Sequence, residues 1–293
     1  MHVKRQRRTA TNGPGILGHS STRRRRLVVV GTSAALALSG GVAWAGTTSF
    51  GQDEVGQQTA RGLVLPSDQT IDPIGDRLLV DNGKLLASTI SPDGTRMAAT
   101  TNDRAIALTI VDLKSYRVQQ QAGTSPDADL KISGNNVGQE GPTYSPDGKF
   151  LWLPQTNGFN RFPVAEDGSL EPPTFITLPT VDGKRPLPAQ ATFSEDGTRM
   201  FAAVNGQNTV VEMDPETGGV VKTWQVGNAP RGLVRVGDKL YVSNEGGRRA
   251  RPGDPTMNSY NTEIVANRRT GSSTTGTVSV IDLASPSAPV DTI

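Results

Sequence analysis

Five arginines, Arg248, Arg249, Arg251, Arg268 and Arg269, crowd into 22 residues of a chain whose body is otherwise acidic. A guanidinium presents a rigid fork of donors that matches phosphate or carboxylate oxygens two at a time. The cluster is therefore the candidate binding site for an anionic ligand or an anionic partner surface. Tyr260 is the one aromatic among these arginines, and a negatively charged body repels a polyanion, so nucleic acid is not an implied partner. The competing reading is a solvated, mobile loop whose arginines pair with its own Asp254 and Glu263.

Catalytic chemistry is more restricted. Both histidines, His2 and His19, lie in the first 45 residues, and cysteine is absent. From residue 46 onward no Ser-His-Asp or Cys-His nucleophile system can be assembled, nor a His- or Cys-ligated zinc, haem or iron–sulfur site. Carboxylates remain, and Asp93, Asp147 and Asp196 recur in the same local setting. Repeated carboxylates suit calcium, but no D-x-D-x-D-G loop accompanies them and each already has a role in a turn. No catalytic residue, metal or cofactor is implied.

That setting is a repeat. Ser91-Pro92-Asp93-Gly94-Thr95-Arg96-Met97 returns as Ser145-Pro146-Asp147-Gly148-Lys149-Phe150, then as Ser194-Glu195-Asp196-Gly197-Thr198-Arg199-Met200, and in reduced form as Gly237-Asp238-Lys239-Leu240. Pro presets φ at the first turn position, Asp caps the turn through its side chain, and Gly takes the φ > 0 position that closes a hairpin. The structural turn residues are thus Asp93, Gly94, Asp147, Gly148, Asp196 and Gly197. Short β-rich runs flank them at 85–90, 97–101, 107–111, 150–153, 200–204, 209–213 and 239–243. A later strand in each unit ends on aspartate, at Asp112, Asp214 and Asp282. A period of 40 to 50 residues, each holding several short strands, marks the blades of an all-β propeller. A β-sandwich with coincidental turns is the bland alternative. Trp152 and Trp224 fall in strands and are expected to fill space between blades rather than stack on a ligand.

These residues also carry a family likeness. The stretch from Asn205-Gly206-Gln207-Asn208-Thr209 through Asp214-Pro215-Glu216-Thr217-Gly218 resembles the repeat of YVTN/YncE-like β-propellers, as does Val226-Gly227-Asn228-Ala229-Pro230. Leu240-Tyr241-Val242-Ser243-Asn244 is close to the signature tetrapeptide. A narrower similarity runs through Asn244-Glu245-Gly246-Gly247-Arg248-Arg249, Arg251-Pro252-Gly253-Asp254 and Gly276-Thr277-Val278-Ser279-Val280-Ile281-Asp282. It resembles an insertion in secreted bacterial proteins that join a YncE-like propeller to an alkaline-phosphatase-type phosphoesterase. The resemblance implies four-stranded blades, about four to five of them visible here from a propeller of about seven. It also implies a phosphoesterase partner domain beyond Ile293, and no residue of this chain matches a phosphoesterase metal site. The expected function is an exported, non-catalytic binding or scaffold module. The alternative is a lactonase-like propeller enzyme that works with Arg and Glu in its central channel.

The leader sets the destination. Residues 1–45 hold eight of the 30 Lys and Arg residues and none of the 28 Asp and Glu residues, so the formal net charge of +2 belongs to this segment. The remaining 248 residues carry 22 positive against 28 negative charges. A basic stretch, an apolar run at 27–38 and Ala43-Trp44-Ala45 make a secretory signal peptide. Arg24-Arg25-Arg26-Leu27 fits a twin-arginine signal, and the general export route fits equally. A membrane association is implied only through an uncleaved leader. The expected organisation is a signal peptide at 1–45, a polar tether at 46–61, and a propeller at 62–293 with a long insertion at about 245–275.

Overall fold

The computed structural model describes residues 54–59, 62–65, 67, 69–72, 75, 78, 80, 85–101, 106–132, 140–260 and 262–293. The signal peptide and the tether fall outside these residues, apart from 54–59. The chain divides into two compact units, Met1–Ile74 and Gly75–Ile293. In the first, β1 (Gln58–Thr59), β2 (Gly62–Val64) and β3 (Thr70–Ile71) pair as a small antiparallel meander.

The second unit is a β-propeller array of four meander sheets. Blade 1 runs β4 (Leu85–Ile90), β5 (Arg96–Thr101), β6 (Ile106–Asp112) and β7 (Arg117–Gly123), with β8 (Leu130–Lys131) added in parallel on its outer edge. Blade 2 is β9 (Thr143–Tyr144), β10 (Phe150–Gln155), β11 (Gly158–Pro163) and β12 (Thr174–Thr177). Blade 3 is β13 (Pro188–Phe193), β14 (Met200–Val204), β15 (Thr209–Met213) and β16 (Val220–Gln225). Blade 4 begins with β17 (Pro230–Val236) and β18 (Lys239–Asn244). A separate hairpin follows, β19 (Thr256–Ser259) and β20 (Thr262–Val265), before the sheet resumes with β21 (Thr277–Asp282) and β22 (Asp291–Thr292). Among the described residues, helix is confined to one 3-10 turn, Asn205–Gln207.

The repeated turns form as their residues require. Ser91 Oγ donates to Asp93 Oδ1 at 2.5 Å and accepts from the Arg96 amide at 2.9 Å, while Asp93 Oδ1 accepts from the Thr95 amide at 3.0 Å. The same bonds recur around Asp147 and Asp196. Gly94, Gly148 and Gly197 sit at φ between +72° and +73°, where a Cβ would be strained. Hydroxyl and amide donors favour the ionised carboxyl, with the serine bond the largest influence. They hold Asp93 and Asp196 down to about 2 and lower Asp147 in the same direction. Successive turns also touch. A Cβ on Gly148 would lie 3.7 Å from Pro92 Cδ, and one on Gly197 would lie 3.6 Å from Pro146 Cδ. Where the third turn replaces proline, Glu195 instead meets Arg235 of blade 4 at 3.8 Å.

The middle strands of blades 1 to 3 are buried along most of their length, so β14 reads as an unbroken apolar run, MFAAV, whereas β18 of blade 4 alternates. Three apolar cores fill the three seams. Leu108, Ile110, Leu151 and Phe162 join blades 1 and 2; Trp152, Phe193 and Met200 join blades 2 and 3; Phe201, Trp224, Leu240 and Ile281 join blades 3 and 4. Trp152 and Trp224 thus fill inter-blade space, as their strand positions predict. Trp152 meets Phe159 and Phe193 edge-on at 6.0 and 6.4 Å, a geometry that the ring quadrupoles favour.

Polar side chains clasp each seam by reaching forward to the main chain of the next blade. Arg96 Nη2 and Gln119 Nε2 donate to the Asp167 carbonyl at 2.8 and 2.9 Å. Gln120 exchanges two hydrogen bonds with the Leu170 backbone at 2.9 and 2.7 Å. Arg161 Nη1 donates to the Pro215 and Glu216 carbonyls at 2.7 and 2.8 Å. Trp224 Nε1, at 3.0 Å, and Lys222 Nζ both donate to the Pro286 carbonyl.

Candidate functional site

The innermost strands of the blades, β4, β9, β13 and β17, lie side by side and line one groove of about 680 Å³. Three of them carry the same irregularity: pairing slips between Leu85 and Ser88, between Pro188 and Ala191, and between Pro230 and Leu233. A bulge frees backbone groups and re-aims side chains. In blade 4 the freed Gly232 amide donates to Ser243 Oγ at 2.9 Å, and the Leu233 amide donates to Gln190 Oε1 of blade 3 at 3.2 Å. The groove floor is uncharged and mixed, mostly apolar in area, with Ser88, Thr89, Thr143, Gln190, Thr192 and Ser243 set among Ala87, Leu233, Val234 and Val278.

Charge gathers at one end. Arg231, next to Gly232, gives Nε to Glu140 Oε1 at 2.6 Å and Nη1 to Glu245 Oε2 at 3.0 Å. Glu140 precedes β9 in blade 2, so this strut passes over blade 3 and ties blade 2 to blade 4. The hairpin completes the cluster, because Ser259 Oγ donates to Glu245 Oε2. Burial works against the Arg231 charge, but Glu140 and Glu245 outweigh it and hold its pKa above the usual value. Burial, reinforced by Glu140, pushes the Tyr260 phenol up to about 12, against the opposing pull of Arg231 and Arg185. Tyr260 thus stays protonated at neutral pH and can act only as a phenol. The chemistry available here is hydrogen bonding by a closed ion-pair network, with carboxylates that could act on a substrate if the strut opened.

The expected site residues separate in space. Arg248 forks onto Asp254, with Nη1 to Oδ2 at 2.6 Å and Nη2 to Oδ1 at 3.0 Å, and the Arg251 amide donates to the same carboxylate at 2.7 Å. These bonds, led by Arg248, hold Asp254 down to about 2. Arg268 and Arg269 are exposed in the turn after β20, where Asn267 Oδ1 accepts from the Arg269 amide at 2.8 Å. Arg249 points elsewhere and lines a cleft with Lys184 and Arg185. Glu263 accepts from the Thr256 hydroxyl at 2.9 Å. The insertion, read as a solvated loop in the competing interpretation, is a docked hairpin instead. Ile264, Val265 and Ala266 are buried, Thr262 Oγ1 donates to Asn205 Oδ1 at 2.6 Å, and Asn228 Nδ2 donates to the Glu263 carbonyl at 3.0 Å. The β-branched run at 262–265, Thr-Glu-Ile-Val, is the sequence signal for it. The Arg231 strut carries no such signal, since its partners stand 91 and 14 residues away.

No family model matches the sequence, and no curated protein matches it. Among solved structures the chain is similar to Kuenenia stuttgartiensis hydrazine synthase, at 16% identity and a TM-score of 0.48 over 76% of this chain and 53% of that one. It is similar to a functionally unknown protein from Desulfotomaculum acetoxidans DSM 771, at 14% identity and a TM-score of 0.44 over 71% and 70%. It is also similar to a 6-phosphogluconolactonase-like protein from Bacteroides uniformis ATCC 8492, at 22% identity and a TM-score of 0.43 over 64% and 52%. The chain spans about half the length of the first and third of these. The propeller architecture rests on its own four meander sheets.

Proposed function

We propose that this chain is an exported propeller module that binds an uncharged polar ligand along its inner-strand groove and does not transform it. The observation that carries this reading is the groove's lining. It offers hydroxyls and an amide along four strands, while the charged groups at its mouth are engaged with one another. Such a surface suits an uncharged ligand that combines apolar faces with hydroxyl or amide groups, held by apolar contact and a few hydrogen bonds. The leader directs export. The likeness to phosphoesterase-linked propellers supports a role as the binding or scaffold half of such a protein, with hydrolysis carried out by a partner phosphoesterase domain.

One observation favours a second reading. Arg231, Glu140 and Glu245 do stand at the groove, where a lactonase-like propeller enzyme would need an arginine and a carboxylate. Incubating the purified chain with phosphate monoesters, phosphate diesters and lactones separates the two. The binding reading expects no turnover. Lactone hydrolysis that co-purifies with the chain and disappears in Glu140→Gln would replace it with the enzymatic one. Export is tested by sequencing the N-terminus of the protein recovered outside the cytoplasm, which should begin at Gly46.

A further inference from the structure

The structure points to a second ligand site, distinct from the groove. We propose that Lys184, Arg185 and Arg249 form a cleft that binds a phosphate group, either as the free ion or as the terminus of a phosphomonoester. The cleft holds about 450 Å³ and lies between the segment before β13, the 3-10 turn after β14 and the insertion. None of the three cations makes an ion pair among the described residues. This contrasts with Arg248, one residue from Arg249, which is fully engaged by Asp254.

Two buried polar side chains, one lining the cleft and one beside it, have hydrogen-bonding atoms to spare. Asn208 lines the cleft at 6% exposure. Its Oδ1 accepts from the Ala229 amide at 2.8 Å, while its Nδ2 makes no hydrogen bond among the described residues. A hollow of about 200 Å³ opens beside the cleft and shares Lys184 and Arg249. There Thr209, 3% exposed, has a hydroxyl with no hydrogen-bond partner. Glu263 borders the cleft and Asp182 the hollow, so positive charge exceeds negative by two in the cleft and by one over both, on a body of net negative charge.

Three cations from two chain segments and an amide donor suit a phosphate dianion, whose oxygens point in several directions and whose charge exceeds that of a single carboxylate. The local field also concentrates anions where the rest of the surface repels them.

The test is calorimetric titration of the full chain with inorganic phosphate, glucose 6-phosphate and succinate. One saturable site for phosphate or the phosphomonoester is expected, with dissociation constants on the order of 1 mM, and with succinate at least about threefold weaker. Binding of both phosphates assigns the site to the phosphate group itself; binding of the ester alone assigns it to a phosphorylated ligand. Lys184→Gln, Arg185→Gln and Arg249→Gln should each weaken binding about threefold, and the triple variant at least tenfold. Arg248→Gln and Arg268→Gln should leave it unchanged. All these side chains are exposed, so unchanged thermal midpoints will confirm that the variants fold. Absence of saturable phosphate binding, binding that survives the triple variant, or equal loss in the two control variants would each overturn the assignment. None of those outcomes bears on the groove, whose ligand is uncharged.

Discussion

Replacing Arg231 with methionine tests the strut at the groove mouth. The substitution keeps much of the side-chain length and removes the charge, so Glu140 and Glu245 lose the guanidinium between them. Breaking one partner of a fully buried pair costs about 3–5 kcal/mol, whereas an exposed pair contributes about 0.2–1 kcal/mol. Here the side chains of Arg231, Glu140 and Glu245 are 23%, 12% and 31% exposed. That intermediate burial sets the expected loss at about 2 kcal/mol, a fall of about thirtyfold in the folded-to-unfolded ratio. For a domain of this size the melting temperature should drop by about 5 °C. Urea unfolding of the wild type, Arg231→Met, Glu140→Gln and the double variant measures the coupling directly, and at least about 1 kcal/mol is expected. A loss below about 0.5 kcal/mol in Arg231→Met, with no coupling, would show that solvent screens the pair and that it does not hold blades 2 and 4 together.

Four further outcomes follow from the same geometry. Trp152→Ala empties the seam between blades 2 and 3 and should cost about 3–5 kcal/mol in chemical unfolding. Trp224→Phe, which keeps most of the ring but loses the bond to the Pro286 carbonyl, should cost about 1 kcal/mol. Gly158→Ala places a Cβ 2.0 Å from the Ile176 carbonyl oxygen and should destabilise the chain by at least about 2 kcal/mol, read from the same unfolding curves. The acid limb is set partly by the turns. Asp93 and Asp196 titrate near 2 when folded against 3.8 unfolded, so the unfolded chain binds more protons between those values and stability rises with pH there. Their contribution is complete above about pH 5 and is lost as pH falls through 2. Asp93→Asn combined with Asp196→Asn should flatten that limb, and superimposable pH profiles would assign the acid sensitivity to other groups.

What could be read in advance divides by sequence distance. The turns at Asp93, Asp147 and Asp196 close through bonds spanning two to five residues, so composition alone specifies them. Asp112, Asp214 and Asp282 likewise accept from amides two and three residues on. Strands followed, because a turn of fixed geometry leaves little choice of register. The sites did not follow, because they depend on which blades face one another. Arg231 and Glu140 meet only once three blades have curved around the groove. Lys184 and Arg185 sit in an ordinary polar loop until the hairpin brings Arg249 beside them. The five arginines looked like one feature because they are neighbours in sequence. Folding pairs one with Asp254, leaves two on a hairpin turn, and turns another toward a different blade.

The forward-reaching clasps give the array a temporal polarity. Arg96 Nη2, Gln119 Nε2 and Gln120 Nε2 in blade 1 donate to carbonyls of blade 2, Arg161 Nη1 to carbonyls of blade 3, and Trp224 Nε1 to a carbonyl of blade 4. A chain that emerges from its N-terminus therefore produces each donor before its acceptor. Every newly made blade waits, with its latch open, for the one behind it. A chain cut at a blade boundary would therefore leave the forward donors of its last blade without these carbonyl partners.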